Sequence, residues 1–331
     1  MSDLDVLDIG PSATVQDGGR PGWAARGLSP GGVADRRAWL EAAALLGGSP
    51  RAVIEMLGRG GRFAAARPAR IALTGAEMQA RIGARRVQAG ESDMLSPGEV
   101  LDVGAIAGFG YLAIGGGVET PPLLGSRSAH LTAGLGRVLR KGDRLPIGPD
   151  DRPGTSPSRI ALAAGTGPLR VMPGPQTDLF PPEVRARFER TDFTRGTALN
   201  RQGLRLGFDG EGFAAPGQLS LASAPIIAGD IQIVGDGAPA VLLAECQTIG
   251  GYPRIGTLLP ADLHRLLRAA PHAPLRFRFV TPEEADASWQ SDEDLLKDLR
   301  RQMEPRIRDP HDISELGGYQ LISGVWGERA P

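Results

Sequence analysis

Cysteine is nearly absent: Cys246 is the only one in 331 residues. No disulfide can close within the chain, and no multi-cysteine zinc site can be built from it alone. Lysine is almost as scarce. Lys141 and Lys297 are the only two among 37 Lys and Arg residues. An Arg/Lys balance this lopsided reads as a coding bias, so no single arginine counts by itself as a sign of function. Charge of either sign is not in excess, with a formal net charge of -1, which argues against bulk binding to nucleic acid or acidic membranes. No apolar run approaches the roughly 18 residues that span a bilayer. The start, MSDLDVLD, has no basic stretch leading into an apolar one. The expectation is a soluble, cytoplasmic protein. No G-x-x-x-x-G-K-[ST] phosphate loop is present, and Gly115-Gly116-Gly117 lacks dinucleotide-loop spacing. The histidines, His130, His264, His272 and His311, show no metal-ligand spacing, so no metal site is expected.

What is abundant is glycine, 47 residues, and proline, 28. They are spread as punctuation between short apolar runs, the pattern of a mainly β protein. Strands are expected at Leu4–Ile9, Ala69–Leu73, Gln79–Ile82, Met94–Leu95 and Tyr111–Ile114. A second set is expected at Leu169–Met172, Leu204–Leu206, Ile231–Val234, Ala240–Ala244 and Leu275–Val280. Helices are expected at Val33–Leu46, Pro182–Arg190 and Ala261–Ala270, each with apolar residues at three-to-four spacing or a proline start. PDDRPGTSPS, residues 149–158, is rich in turn formers and marks a boundary. The division is therefore 1–150, 159–285 and a charged helical tail, 286–331, whose GGYQLISGVWG stretch reads as a short last strand.

GLSPG, residues 27–31, fits G-x-S-x-G. A nucleophile elbow needs an N–H on the residue after the serine. Here that residue is Pro30, which has none, so a helix-entry turn is the better reading. Five other stretches combine glycine with polar side chains. TVQDGGRPGW carries Gln16, Asp17 and Arg20; LLGSRSAHL carries Ser126, Arg127 and Ser128. PGPQTDLF carries Gln176, LNRQGLRLG carries Arg201, and CQTIGGYP carries Gln247, Thr248, Gly250, Gly251 and Tyr252. Each alone is a turn in most proteins; five in one chain point to a shared polar pocket.

The same stretches, in this order and together with LTGA (73–76), YLAIGGG (111–117) and GDRLPIG (142–148), resemble the family of the C-type 5-oxoprolinase subunits. The family is also known as KipA or allophanate hydrolase subunit 2, and is biotin-dependent carboxyltransferase-like. Departures from the family pattern fall at Ala34, Gln202, Leu204, Ile249 and His272-Ala273-Pro274. The resemblance implies two cyclophilin-like β-barrel domains with a few short helices. It implies work in a complex with a lactam-barrel A-type subunit and a KipI-like B-type subunit, opening 5-oxo-L-proline to L-glutamate at the expense of ATP, which this chain does not clearly bind. Two alternatives stand. One is the carboxyltransferase part of a urea or amide carboxylase, with carboxybiotin on a separate carrier; Lys141 and Lys297 lie in RKG and LKD, not in a Met-Lys carrier motif. The other is a regulator that binds a KipI-type kinase inhibitor.

A small amide or lactam substrate sets chemical needs. Its carboxylate wants a guanidinium, for which Arg127 is the first choice. Gln247 and Thr248 are expected to hold the amide, with the Gly250 and Gly251 N–H groups facing an anion and Tyr252 as a wall. Asp35 or Asp17 is the expected base. Gln16, Arg20, Ser126, Ser128, Gln176 and Arg201 complete the expected substrate pocket.

Overall fold

The computed structural model describes residues 2–162, 165–215 and 221–306. The strand expected within 317–327, and His311, lie outside them. The described chain is mainly β with few helices: a twelve-stranded curled sheet built mostly from the first half, a seven-stranded sheet from the second, and one small two-stranded ribbon.

The first sheet is organised by one long strand, Leu101–Ile114, which pairs along its length with Val53–Arg59, Gly61–Ala65, Ala69–Gly75 and Met78–Ile82. Sequence reading finds only its last four residues. Gly104, Ala105, Ala107, Gly108 and Gly110 dilute the β-branched pattern that marks a strand. The glycines are there because neighbours come close: a Cβ on Gly110 would lie 2.9 Å from the Met78 methyl. Strands Val53–Arg59, Gly61–Ala65 and Arg144–Ile147 in this half, and Thr194–Leu199 and Arg254–Leu258 in the second, are likewise additional to the expected set.

Helix α1 (Arg36–Leu45) covers one face of the first sheet, and its start is capped by the Asp35 carboxylate, which accepts from the Ala38 N–H. It begins three residues later than periodicity suggests, because Asp35 is a better N-cap than any residue before it. Helices α2 (Pro182–Arg190) and α3 (Pro260–Arg268) both start on proline, where a missing N–H costs nothing. The short α4 (Pro282–Ala287) opens with a full capping box between Thr281 and Glu284.

Aromatic residues are few, yet six of the nine phenylalanines form one group in the second half: Phe188, Phe193, Phe208, Phe213, Phe277 and Phe279. Phe188 lies 5.1 Å from Phe193 in a tilted contact and 5.1 Å from Phe277 in a stacked one, both favourable ring geometries. This group is continuous with the buried faces of α1 and of Phe109, Tyr111 and Ala113, so one core spans both halves. A separate core fills the inside of the first sheet.

The tail returns to the first half. Helix α5 (Asp292–Arg301) packs on α1 through buried Leu296 and Leu299, with Arg36 paired to Asp292. Glu304–Pro305 then pairs with Ser158–Arg159, which in turn adds to the first sheet at Glu91.

Candidate functional site

The expected site residues fall into a buried seam between the halves, an exposed rim, and a second polar cluster. Arg201 is the centre of the seam. It leaves the second half just before the strand Gly203–Gly207 and enters the first. Its guanidinium pairs with Glu55, donates to Glu245 at 2.6 Å and to the Gly32 carbonyl at 2.6 Å, and reaches the side-chain amide oxygen of Gln16, Oε1, at 3.2 Å. Burial opposes its charge, but the two carboxylates overcome that and raise its pKa. Glu55 also accepts from the Ala34 N–H and the Tyr111 hydroxyl, each at 2.8 Å. The carboxylate is thus fully engaged, as a buried charge requires.

Asp17 anchors the neighbouring loops. It accepts from the Ser126 and Ser128 hydroxyls and from the Gly19 and Arg127 N–H groups. Burial pushes its carboxyl up, and these four donors together outweigh it and hold the pKa below the ordinary value. A carboxylate with so many donors serves as a strut for the Ser126–Ser128 turn. Arg127 itself is half-buried and pairs with Glu119. Asp35, besides capping α1, receives Arg268 of α3 at 2.6 Å, while the same guanidinium holds Glu41 through two bonds. Asp35 therefore ties α1 to α3 and so one half to the other.

Ser29 and His130, which sequence reading set aside, and Glu245, which it did not single out, complete the seam. The Ser29 hydroxyl lies 2.9 Å from His130 Nε2, and His130 Nδ1 lies 4.0 Å from Glu245. His130 Nδ1 accepts from the Ala133 N–H. The proton of the neutral ring therefore sits on Nε2 and is donated to Ser29. Burial lowers the His130 pKa, against the pull of Glu245 and with the help of Arg20 and Arg201. Ser29 had a visible signal, the GLSPG motif; His130 and Glu245 had none, since they lie 101 and 216 positions away in sequence.

The stretch 244–256 bridges the regions. Glu245 turns into the seam, Ile249–Gly250 pairs with Ala224–Pro225, and Arg254 opens the next strand. Gln247 and Tyr252 are exposed and Thr248 half-buried, so they form a rim beside the seam. Gly250 packs against Gln232 and Ile226. In the second cluster Gln176 accepts from the backbone and side chain of Arg254, whose guanidinium continues to Asp230 at 3.1 Å. Gln176 thus joins the rim through Arg254 and lies apart from Gln16, Asp17 and Arg201.

Elsewhere between the halves opens a cleft of about 1200 Å³ with Arg81, Arg86, Arg265, Arg268 and Arg276 on its walls. Through Arg268 it adjoins the Asp35 pair. Among the described residues, no group of three His, Cys, Asp or Glu is placed to hold a metal ion, and no helix is long and apolar enough to cross a membrane.

Residues 26–279, most of the chain, match the family model for the carboxyltransferase domain, subdomains A and B. The chain belongs to this carboxyltransferase family. It is 31% identical over 311 residues to the C-type subunit of 5-oxoprolinase from Escherichia coli (strain K12), an alignment covering 89% of this chain and 97% of that protein. Among solved structures it is similar to TTHA0988, with a TM-score of 0.70 and 30% identity over 85% of this chain; the chain spans 55% of that longer one. The urea amidolyase of K. lactis shares the fold, with a TM-score of 0.77 at 23% identity, over 93% of this chain and 21% of that one. The mainly β architecture expected from composition and the family expected from the ordered motifs both hold.

Proposed function

We propose that this chain is the C-type subunit of an ATP-dependent 5-oxoprolinase, acting with other subunits to open a cyclic amide. The observation that carries this reading is the extent of the match: the Escherichia coli C-type subunit aligns over 97% of its length. The urea-amidolyase relatives align over a fifth or so of theirs.

The chemistry of the rim and seam agrees with a co-catalytic role. A lactam carbonyl is a poor electrophile and needs activation, which ATP supplies in the complex by phosphorylating its oxygen. This chain offers amide and hydroxyl groups at Gln247 and Thr248 to hold the substrate at a rim backed by a rigid charged network. A preorganised polar wall of this kind stabilises developing charge without having to rearrange. The partners are proposed to be the A- and B-type subunits, in the cytoplasm, where ATP is at hand.

The test is glutamate formation from 5-oxoproline and ATP in a mixture of the A- and B-type partners, with this chain present or omitted. Glutamate only when the chain is present supports the reading. Equal glutamate without it, or none in any mixture, overturns it. The family's carboxyltransferase name keeps one further assay in view: urea carboxylation with a biotinylated carrier, for which the carrier must come from another chain.

A further inference from the structure

Charged residues on one face of the first sheet alternate in sign, except at one place. The strand registers put Asp8 opposite Arg62, Arg62 opposite Asp102, Asp102 opposite Arg81, and Arg81 opposite Arg86. Residues opposite each other across strands share a face, so these five side chains form one row. The alternation breaks at its last step, where two arginines meet. Arg81 reaches Asp102 at 3.5 Å, and Asp8 is held by Arg59 at 2.6 Å. Arg86 is exposed, and its guanidinium has no partner among the described residues. Opposed Cβ atoms lie about 4.5–5.5 Å apart, and like charges so placed repel. The hairpin that opposes them closes through only Gly83 and Ala84, with Gly83 at φ 58°, so its register is fixed.

This break in the pattern borders the cleft of about 1200 Å³ between the halves. Arg81, Arg86 and Asp102 all line it, and Glu77 is the only other carboxylate on its walls. The second half contributes Arg265, Arg268 and Arg276, with apolar surface from Pro274 and Leu275. Arg268 is committed to Asp35 and Glu41, and Arg265 lies 3.3 Å from Asp262. Arg276 holds Asp192 at 2.6 Å, but both partners are more than half exposed, and such pairs are weak. Helix α3 ends at the cleft, where Ala269 and Ala270 line it. A helix C-terminus repels anions. Here the buried Arg195 donates to the Leu267 carbonyl at 2.8 Å and offsets that end with a full positive charge; no carboxylate pairs with it among the described residues.

We propose that Arg81 and Arg86 clamp the dianionic phosphate of a small phosphate monoester whose organic body lies in the cleft. Two neighbouring guanidinium groups offer forked N–H donors to the phosphate oxygens. A dianion removes the repulsion between them more fully than a carboxylate does. Glu77 and Asp102 on the same walls act against a more highly charged ligand such as a triphosphate. The cleft exceeds the roughly 300–1,000 Å³ of small-molecule pockets, so the organic body has room. The clamp shares no residue with the Arg201 seam or the Gln247 rim and does not depend on whether the complex opens 5-oxoproline.

The experiment is calorimetric titration of the full chain with phenyl phosphate at constant ionic strength. It is run at about pH 8, well above the second phosphate pKa of about 6. The expected result is saturable binding, with benzoate weaker by about tenfold or more. Arg86→Gln removes one charged donor and is expected to weaken phenyl phosphate by about tenfold or more. Because the Arg86 side chain is exposed and unpartnered, this variant is expected to keep the unfolding midpoint. Arg59→Gln removes an exposed arginine outside the cleft and is expected to leave the affinity unchanged. Absence of saturable binding in the unmodified chain overturns the clamp and requires no substitution. Equal affinity in folded Arg86→Gln overturns it too, as does an equal loss in Arg59→Gln, which marks general charge attraction. Benzoate binding as tightly as phenyl phosphate overturns the dianion, and inorganic phosphate binding as tightly overturns the organic ester. A failed glutamate assay with phenyl phosphate still bound removes the 5-oxoprolinase reading and leaves the clamp; the reverse result removes only the clamp.

Discussion

Arg201 reaches 146 positions back along the chain to pair with Glu55, joining the second sheet to the first inside the protein. Both side chains are almost fully buried, and Glu245 shares the same guanidinium. The pair brings together two stretches that sequence reading treats as unconnected. It makes the meeting of the halves specific, because a guanidinium fork donates to carboxylates in only a few arrangements.

Removing the cation leaves two buried carboxylates without compensation. Arg201→Met is therefore expected to cost about 3–5 kcal/mol, read as a lower denaturant midpoint. Combining it with Glu55→Gln and Glu245→Gln removes the stranded charges, and the triple variant is expected to be more stable than the single one. A loss below about 1 kcal/mol for Arg201→Met would mean that the seam is hydrated and contributes no more than a surface pair.

Helix α5 is expected to hold the fold as much as any element of the sheets. Leu299 is 1% exposed between α5 and the shared core. Leu299→Ala leaves a cavity there, at a cost of about 2–5 kcal/mol. Thermal unfolding with far-ultraviolet circular dichroism measures it. If the variant melts with the unmodified protein, α5 is a peripheral element.

Much of the fold was legible because it is carried by local pattern. The α2 bounds agree to the residue with the proline start and the spacing of its apolar positions, and Leu169–Met172 agrees as well. The long central strand was only partly legible, since its glycines answer to the Met78 and Arg195 side chains that approach them in space. The site behaves in the same way. The polar stretches around Gln16, Asp17, Ser126, Ser128 and Arg201 were visible as turns with unusual side chains, and the structure brings them together. Glu55, Tyr111 and Glu245 were not visible, because a buried carboxylate or phenol has no local signature; only its distant partner explains it. Leu204, one of the departures from the family pattern, is a fully buried core residue, and Gln202 reaches the Thr132 hydroxyl at 3.3 Å. Ile249 is exposed on the rim.

Acid should destabilise the protein through His264. Burial in α3 lowers its pKa to about 4, with Asp35 pulling the other way and Arg268 and Arg37 adding to the shift. The unfolded chain binds a proton near pH 6.5 and the folded one only near pH 4. Stability is then full above the unfolded value and falls as pH drops from about 6.5 to about 4, by about 3 kcal/mol in all. Glu41 has the opposite sign: burial raises its pKa, so its share of stability is present at low pH and declines as pH rises through the folded value. Comparing the unmodified protein with His264→Leu at each pH separates the two. The variant is expected to lose less stability between pH 6.5 and 4. Parallel curves would show that His264 is protonated in the fold at ordinary acidity.

Gln247 separates structure from function more cleanly than the other expected site residues. It is exposed and makes no hydrogen bond among the described residues, whereas Asp17, Asp35 and Arg201 each hold the fold together. A substitution at a surface position of this kind usually changes stability by no more than about 0.5 kcal/mol. Gln247→Ala is therefore expected to keep the unfolding midpoint. If the rim holds the amide of the substrate, the same variant lowers glutamate formation in the assembled complex, with the loss in kcat/KM rather than in the amount of folded protein. A hydrogen bond to a neutral amide contributes about 0.5–1.5 kcal/mol, so a several-fold reduction is the expected size. Unchanged kcat/KM with unchanged stability would take Gln247 out of the substrate pocket and leave the turn at Gly250 as a purely structural link between the Glu245 seam and the Arg254 cluster.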